Sequence, residues 1–163
     1  MAFAIILGLF ILQRLTELFV SRRNEKWLLE RGAVEYGKRH YPLLLILHTA
    51  FVLSVIGEYF CFPGKTIAYP FLVAFVCLLI AKLWVINALG HYWNTKIYRI
   101  PGSVPVHNGA YKYFKHPNYA IVIAEIIVFP LIFHLYYTAI IFTVLNAAVL
   151  YVRINTENSV WSR

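Results

Sequence analysis

Arg153 and Glu157 stand four residues apart near the end of the chain, the separation that places two side chains on one face of a helix. An arginine presents a planar fork of donors that fits an anionic oxygen group, and a glutamate presents the acceptor that an ammonium group requires. Upstream lies the run His116-Pro117-Asn118-Tyr119, preceded by Tyr111, Lys112 and Lys115. Proline is well tolerated at the first helical position, because the N–H it lacks would be unpaired there anyway. With Pro117 in that place, His116 falls near the N-cap, and the free N–H groups of the first turn attract a carboxylate or phosphate. The chemistry within reach of this set is the binding of a ligand carrying both charges and the orientation of an anionic oxygen. Each residue also has a plainer explanation. Arg153 could anchor a helix end to headgroups with Glu157 as its solvated partner, and Tyr111, Tyr113 and Tyr119 could belong to an interfacial aromatic belt. No metal enters, since the six histidines show neither His-Glu-x-x-His nor any paired spacing and neither cysteine is near them.

Such residues need elements to hold them, and the composition says which kind. Of 163 residues, 61% are hydrophobic and only 13% charged, which is the balance of a membrane protein. A hydrocarbon core about 30 Å thick takes roughly 20 mostly apolar residues per helix. Blocks at 2 to about 21, 43 to about 62, 67 to about 89, and 119 to 152 meet that requirement. The last contains one formal charge, Glu125, and is too long for a single crossing. Pro130 and the polar, aromatic stretch from His134 to Thr138 offer a place to turn back. The expectation is an all-α integral membrane protein with about five transmembrane helices, the last two forming a hairpin, and residues 1–163 making one domain.

The location of the basic charge sets an orientation. Net charge is +8, and of 15 Lys and Arg, six lie between residues 22 and 39, four between 96 and 115, and two at Arg153 and Arg163. Lys65 falls in the opposite loops. This bias predicts the N-terminus outside and the C-terminus in the cytoplasm of a multi-pass cell-membrane protein. It also accounts for the charge through topology and anionic lipid, without nucleic acid. The first block has no basic leader or small-residue cleavage site, so it reads as a retained helix rather than a signal peptide. Cys61 and Cys77 suggest ordinary packing residues, not a disulfide framework.

Charges inside the apolar blocks are costly and therefore candidates for function. Arg14 and Glu17, three apart, can satisfy each other. Lys82 and Glu125 are candidates on the same ground, and Glu125, nine residues beyond His116, either supports a pocket by hydrogen bonding or is purely structural.

The run GAYKYFKHPNY at 109–119, the apolar hairpin after it, and RINTE at 153–157 resemble the isoprenylcysteine carboxyl methyltransferase family, which has Gly-x-Tyr, a basic residue, His-Pro-x-Tyr, a hairpin, then Arg with Glu four residues later. The likeness runs from about residue 89 to 163, and RLTEL, RRNE and RGAVEYGKRHYP in the first half look like a bacterial branch. It implies a membrane methyltransferase that uses S-adenosyl-L-methionine. Cofactor contacts carried over from the family fall on Ser103, Val104, Pro105, Val106, Tyr111, His116, Pro117, Asn118, Tyr119 and Glu157, with a further one at Lys96. Arg153 takes the role of meeting the substrate. One departure is that Glu157 stands between Thr156 and Asn158, where family members usually carry consecutive acids.

That resemblance implies a lipophilic acceptor drawn from the bilayer, either a prenylcysteine-like carboxylate or an enol such as an alkylpyrone. Methyl transfer from a sulfonium is an in-line displacement in which positioning supplies most of the catalysis. Two rivals share part of the signal. Sterol-type membrane reductases, which use NADPH, carry a similar His-Pro-x-Tyr run, and a non-catalytic lipid-binding membrane protein would share the helices but not the clustered polar residues.

Overall fold

The computed structural model describes residues 1–161; Arg163, counted in the charge bias, lies outside them. Five α-helices are present among those residues: α1 (Ala2–Leu29), α2 (Tyr41–Cys61), α3 (Tyr69–Leu89), α4 (Pro117–Leu131) and α5 (Tyr136–Trp161). The last two form the expected hairpin, turning through His134, whose backbone is left-handed at φ 56°. One feature absent from the all-helical expectation is a ribbon of two short strands, β1 (Val34–Tyr36) and β2 (Ile97–Arg99), paired antiparallel with Glu35 opposite Tyr98. It ties together the two polar segments that follow α1 and α3.

Proline starts α2, α3 and α4 at their first or second positions. Four helices are long and apolar enough to cross a membrane: α1, α2, α3 with its following turn, and α5. α4 has 15 residues, about 22 Å at 1.5 Å per residue, which is short of a full crossing. The long helices are apolar all round, with Leu9, Phe19, Ile46, Leu53, Ile80, Leu83, Ile140 and Val144 exposed on their outer faces. Helices of that kind are solvated by lipid. Cys61 and Cys77 are likewise exposed rather than packed.

Three layers fill the bundle between these faces. At the end formed by the start of α1 and the finish of α2, aromatic rings interlock: Phe10 stacks on Phe129 at 4.2 Å, and Phe51 meets Phe142 edge-on at 5.5 Å. Glu58 closes this end, its carboxylate accepting from the backbone N–H groups of Tyr137 and Thr138 at 3.2 and 2.7 Å. There it offsets the positive N-terminus of α5.

A buried charge cluster occupies the middle. Arg14 lies 2.8 Å from Glu125 and 3.1 Å from Glu17, and Lys82 lies 3.1 Å from Glu125 and 3.7 Å from Glu17. Gln13 donates to both carboxylates, at 2.7 and 2.9 Å. The local Arg14–Glu17 pair is therefore half of a quartet with two charges of each sign. It joins α1, α3 and α4, and Glu125 is a structural tie between them.

Polar side chains build the third layer. Ser21 and Asn24, near the end of α1, bond the segment after α3: Ser21 to Asn94 and Thr95, Asn24 to the carbonyls of Gly90 and Trp93. Gly109 is fixed by close approach. Its φ is 53°, and a Cβ there would come within 2.7 Å of the Ala88 side chain.

Candidate functional site

The polar layer encloses a cavity of about 460 Å³, within the range of small-molecule sites. Its walls are the segment from Leu89 through Arg99, the loop from Ser103 to His107, the 3-10 turn at Gly109–Lys112, and the near ends of α4 and α5. Among the residues carried over from the family, Lys96, Ser103, Val104, Pro105, Val106, Tyr111, His116, Asn118, Tyr119, Arg153 and Glu157 all line it. Pro117 does not. It is buried at the first position of α4, where it begins the helix that aims Asn118 and Tyr119 inward.

Tyr119 organises the far wall. Its hydroxyl accepts from Arg153 Nε at 2.9 Å and donates to Glu157 Oε2 at 2.5 Å. Arg153 and Glu157 do share a face of α5, but a phenol stands between them. Arg153 spends a second donor on the Thr95 carbonyl, leaving it 7% exposed with no carboxylate partner among the described residues. His116 stacks beside Tyr119, bonds Asn158 at 3.2 Å, and lies 3.9 Å from Glu157.

Opposite, Lys96 is engaged with Glu25 at 2.7 Å, and the Tyr98 hydroxyl donates to the same carboxylate at 2.6 Å. Burial works against the Lys96 charge, but the bond and charge of Glu25, with Glu35 beyond, hold its ammonium above the ordinary value. Burial first, then the Glu25 bond, push the Tyr98 phenol up. Burial, reinforced by the Glu157 carboxylate, also raises Tyr111, which stays a neutral donor at physiological pH. Lys96 is thus a strut for the cavity wall as well as a lining residue.

The donor set fits a zwitterionic, cationic ligand with an aromatic group. Glu157 is the one acid among the described lining residues, whereas Lys96, Arg99, Lys112, Lys115 and Arg153 are basic. An amino-acid moiety needs that combination, an acid for its ammonium and bases for its carboxylate. Tyr92, Trp93, Tyr98, Tyr111, Phe114 and Trp161 supply ring faces for a purine or an onium cation.

A second, smaller cavity of about 100 Å³ opens from the same wall toward the middle of the bundle. Trp93, Asn118, Tyr119 and Arg153 border both. Leu18, Leu44, Leu45, Val122 and Leu150 give it apolar sides, and Arg14, Glu17 and His48 lie at its lining too. Trp93, His48, Ser21 and Asn24 were not singled out from the sequence. The available signal was polar residues recurring on the inner face of α1, and a tryptophan beside Asn94-Thr95 just after an apolar helix.

The sequence profile of the isoprenylcysteine carboxyl methyltransferase (ICMT) family matches residues 71–162. Protein YpbQ of Bacillus subtilis is 40% identical over 158 residues, covering 96% of this chain and 94% of that protein. A Haemophilus influenzae protein is 34% identical over 155 residues, covering 91% of this chain and 88% of its own length. No solved structure matches.

Proposed function

The chain belongs to the isoprenylcysteine carboxyl methyltransferase family, a family of membrane methyltransferases, and from that premise we propose that it is an S-adenosyl-L-methionine-dependent O-methyltransferase acting on a lipophilic carboxylate or enol. The observation that carries this is the meeting of two unlike cavities at Trp93, Asn118, Tyr119 and Arg153. The larger suits a water-soluble zwitterion, the smaller has apolar walls, and only at their junction can groups from the two media touch.

When bound, the cofactor supplies an electrophilic methyl group: the acceptor oxygen forms a C–O bond as the S–C bond breaks, and the sulfonium leaves as a neutral thioether. Glu157 accepts from the ammonium group of the amino-acid moiety, and Tyr111 donates across the cavity. Arg153 holds the acceptor oxygen in its anionic form. For a carboxylate or acidic enol, that charge exists before the reaction, so the residues position rather than deprotonate. Tyr119 couples the two tasks, fixing Arg153 and Glu157 through one hydroxyl.

The basic charge of the segments after α1 and α3 supports a cytoplasmic orientation of this end of the bundle in the cell membrane, on the side where the soluble cofactor is available. The resemblance to the family makes alkylpyrone-like and prenylcysteine-like heads the acceptors to try first. Titration of the purified protein with S-adenosylhomocysteine and with NADPH tests the assignment, together with methyl transfer to lipid extracts. Binding of the first and not the second is expected; preference for NADPH would replace the methyltransferase with a reductase. Cysteine labelling should find residue 65 outside and residues 31 and 108 inside, and the reverse would move the site across the membrane.

A further inference from the structure

Arg153 is held without being neutralised. Its Nε donates to the Tyr119 hydroxyl and its Nη2 to the Thr95 carbonyl, both uncharged groups, and Nη1 has no hydrogen bond among the described residues. A phenol and a peptide carbonyl fix the guanidinium plane and leave its charge for a ligand. Thr95 and Arg153 both border the smaller, inner cavity. The aim of Arg153 therefore depends on what fixes the Thr95 carbonyl. Regular secondary structure does not, since Thr95 lies in the irregular segment between α3 and β2.

Ser21 fixes it. This side chain is 3% exposed on α1, on the inner face that also carries Glu17 and Asn24. Its hydroxyl has one hydrogen and two lone pairs, and all three are used. The hydrogen goes to Asn94 Oδ1 at 2.9 Å, because a carbonyl oxygen can only accept. The lone pairs then take the Thr95 backbone N–H at 3.1 Å and the Thr95 hydroxyl at 2.8 Å. With the Thr95 hydrogen spent on Ser21, the Tyr41 hydroxyl donates to Thr95 Oγ1 at 3.2 Å. Asn94 closes the loop. Its Nδ2 donates to the Ser21 carbonyl at 2.9 Å, and its Oδ1 accepts from the Lys96 N–H at 2.8 Å. The protons thus run in one direction, from Tyr41 at the start of α2 through Thr95 to Ser21 and Asn94.

We propose that Ser21 is a positioning residue for methyl transfer: by clamping the Thr95 peptide it sets the direction in which Arg153 presents its free nitrogen to the acceptor oxygen. This rests on the methyltransferase assignment and on Arg153 as the group that meets the acceptor. Ser21 makes no hydrogen bond to Arg153 itself among the described residues. It and Tyr41 lie outside residues 71–162, the segment that matches the family profile, so the first two helices serve the site by aiming a residue of the last. A plain staple between α1 and the segment after α3 is already supplied by Asn24, through the carbonyls of Gly90 and Trp93. The bonds of the Ser21 hydroxyl converge instead on the peptide whose carbonyl Arg153 uses. Without that hydroxyl the Thr95 N–H and Oγ1–H lose their acceptor, and the peptide turns to satisfy them elsewhere. A displacement of about 1 Å in a positioning group can lower a rate about a hundredfold.

Ser21→Ala and Thr95→Val cut the clamp from its two sides, so one remains if the other fails to fold. Ser54→Ala is the comparison: Ser54 meets Thr138 at 2.8 Å between α2 and α5, a hydroxyl pair of the same length that borders neither cavity. On the purified full chain, methyl transfer from S-adenosyl-L-methionine to a lipid extract should fall tenfold or more in each clamp variant, and no further in the double variant. Thr95→Ser, which restores the hydroxyl, should recover most of the loss. Ser54→Ala should change turnover less than threefold, and S-adenosylhomocysteine affinity should stay within twofold throughout. A second readout needs no acceptor. Phenylglyoxal closes its adduct across both Nη atoms of an arginine, so Arg153 reacts slowly while Thr95 holds Nη2. Peptide mass spectrometry should show Arg153 modified at least fivefold faster in the clamp variants than in wild type or Ser54→Ala. Turnover lost equally in Ser54→Ala and Ser21→Ala would mean general loosening of the bundle, and overturns the proposal. So does an Arg153 modification rate unmoved by both clamp variants, and this rate alone decides if the extract contains no methyl acceptor. Failure of wild-type protein to bind S-adenosylhomocysteine is a different result, removing the methyltransferase assignment itself.

Discussion

At one end of the bundle Phe3, Phe10, Phe51, Phe129 and Phe133 pack ring against ring, and the polar groups present are tied off, as Glu58 is by two backbone N–H groups. At the other end Ser21, Asn24, Tyr119 and Arg153 are also bonded, but around two cavities, and Trp93 and Asn118 keep atoms unspent. The helices are the same five. What differs is whether the space between them is closed by protein or left for a ligand. The charge quartet on Arg14, Glu17, Lys82 and Glu125 sits between, holding α1, α3 and α4 together while presenting one edge to the inner cavity.

The contrast is broken most severely at the quartet. Glu125→Leu leaves Arg14 and Lys82 with too little negative charge in a buried site, and the loss should be about 3–5 kcal/mol of stability. A thermal unfolding series in detergent checks it; a neutral result would mean that water reaches the cluster. Next in size is Arg153→Ala, which should cut turnover about a hundredfold or more while cofactor affinity changes little, with Arg153→Lys recovering little because the planar fork is lost. Equal loss of cofactor binding would show that the Tyr119 bridge makes Arg153 part of the cofactor site.

Glu157→Gln should do the reverse, weakening S-adenosylhomocysteine by about 1.5–3 kcal/mol, the range of a charge-assisted hydrogen bond. Calorimetric titration measures it. In the aromatic end, Phe129→Ala should cost about 2 kcal/mol. Lipid is as apolar as the core, so the transfer contribution is largely absent and mainly the cavity remains. Its Tm should fall with KM and cofactor affinity unchanged, and altered KM would mean that the two ends are coupled. The smallest effect is at Glu58→Gln, about 1 kcal/mol of stability from weakened capping of α5.

The apolar helices and the hairpin were legible because each depends on local sequence, whereas the residues assigned to the cavity came from the family resemblance. Pro117 begins α4, an apolar run with Pro130 and His134 near its turn makes α4 and α5, and a four-residue spacing places Arg153 and Glu157 on one face. The β ribbon was not, since strands of three residues carry no periodicity. Nor was the reach of Glu125, whose partners lie 111 and 112 residues away in sequence at Arg14 and Gln13.

By itself, then, the sequence determined an apolar bundle with its reactive residues gathered at one end, because hydrophobic run length, proline position and the spacing of charges act within a few turns of chain. Only the tertiary structure decided that Tyr119 stands between Arg153 and Glu157, that Lys82 joins the Arg14 pair, and that Trp93 and His48 face a common cavity. Those are contacts between helices. They depend on how α1 to α5 rotate against one another, and beyond the polar residues on the inner face of α1 the largely apolar helices carry little in the sequence that fixes that rotation.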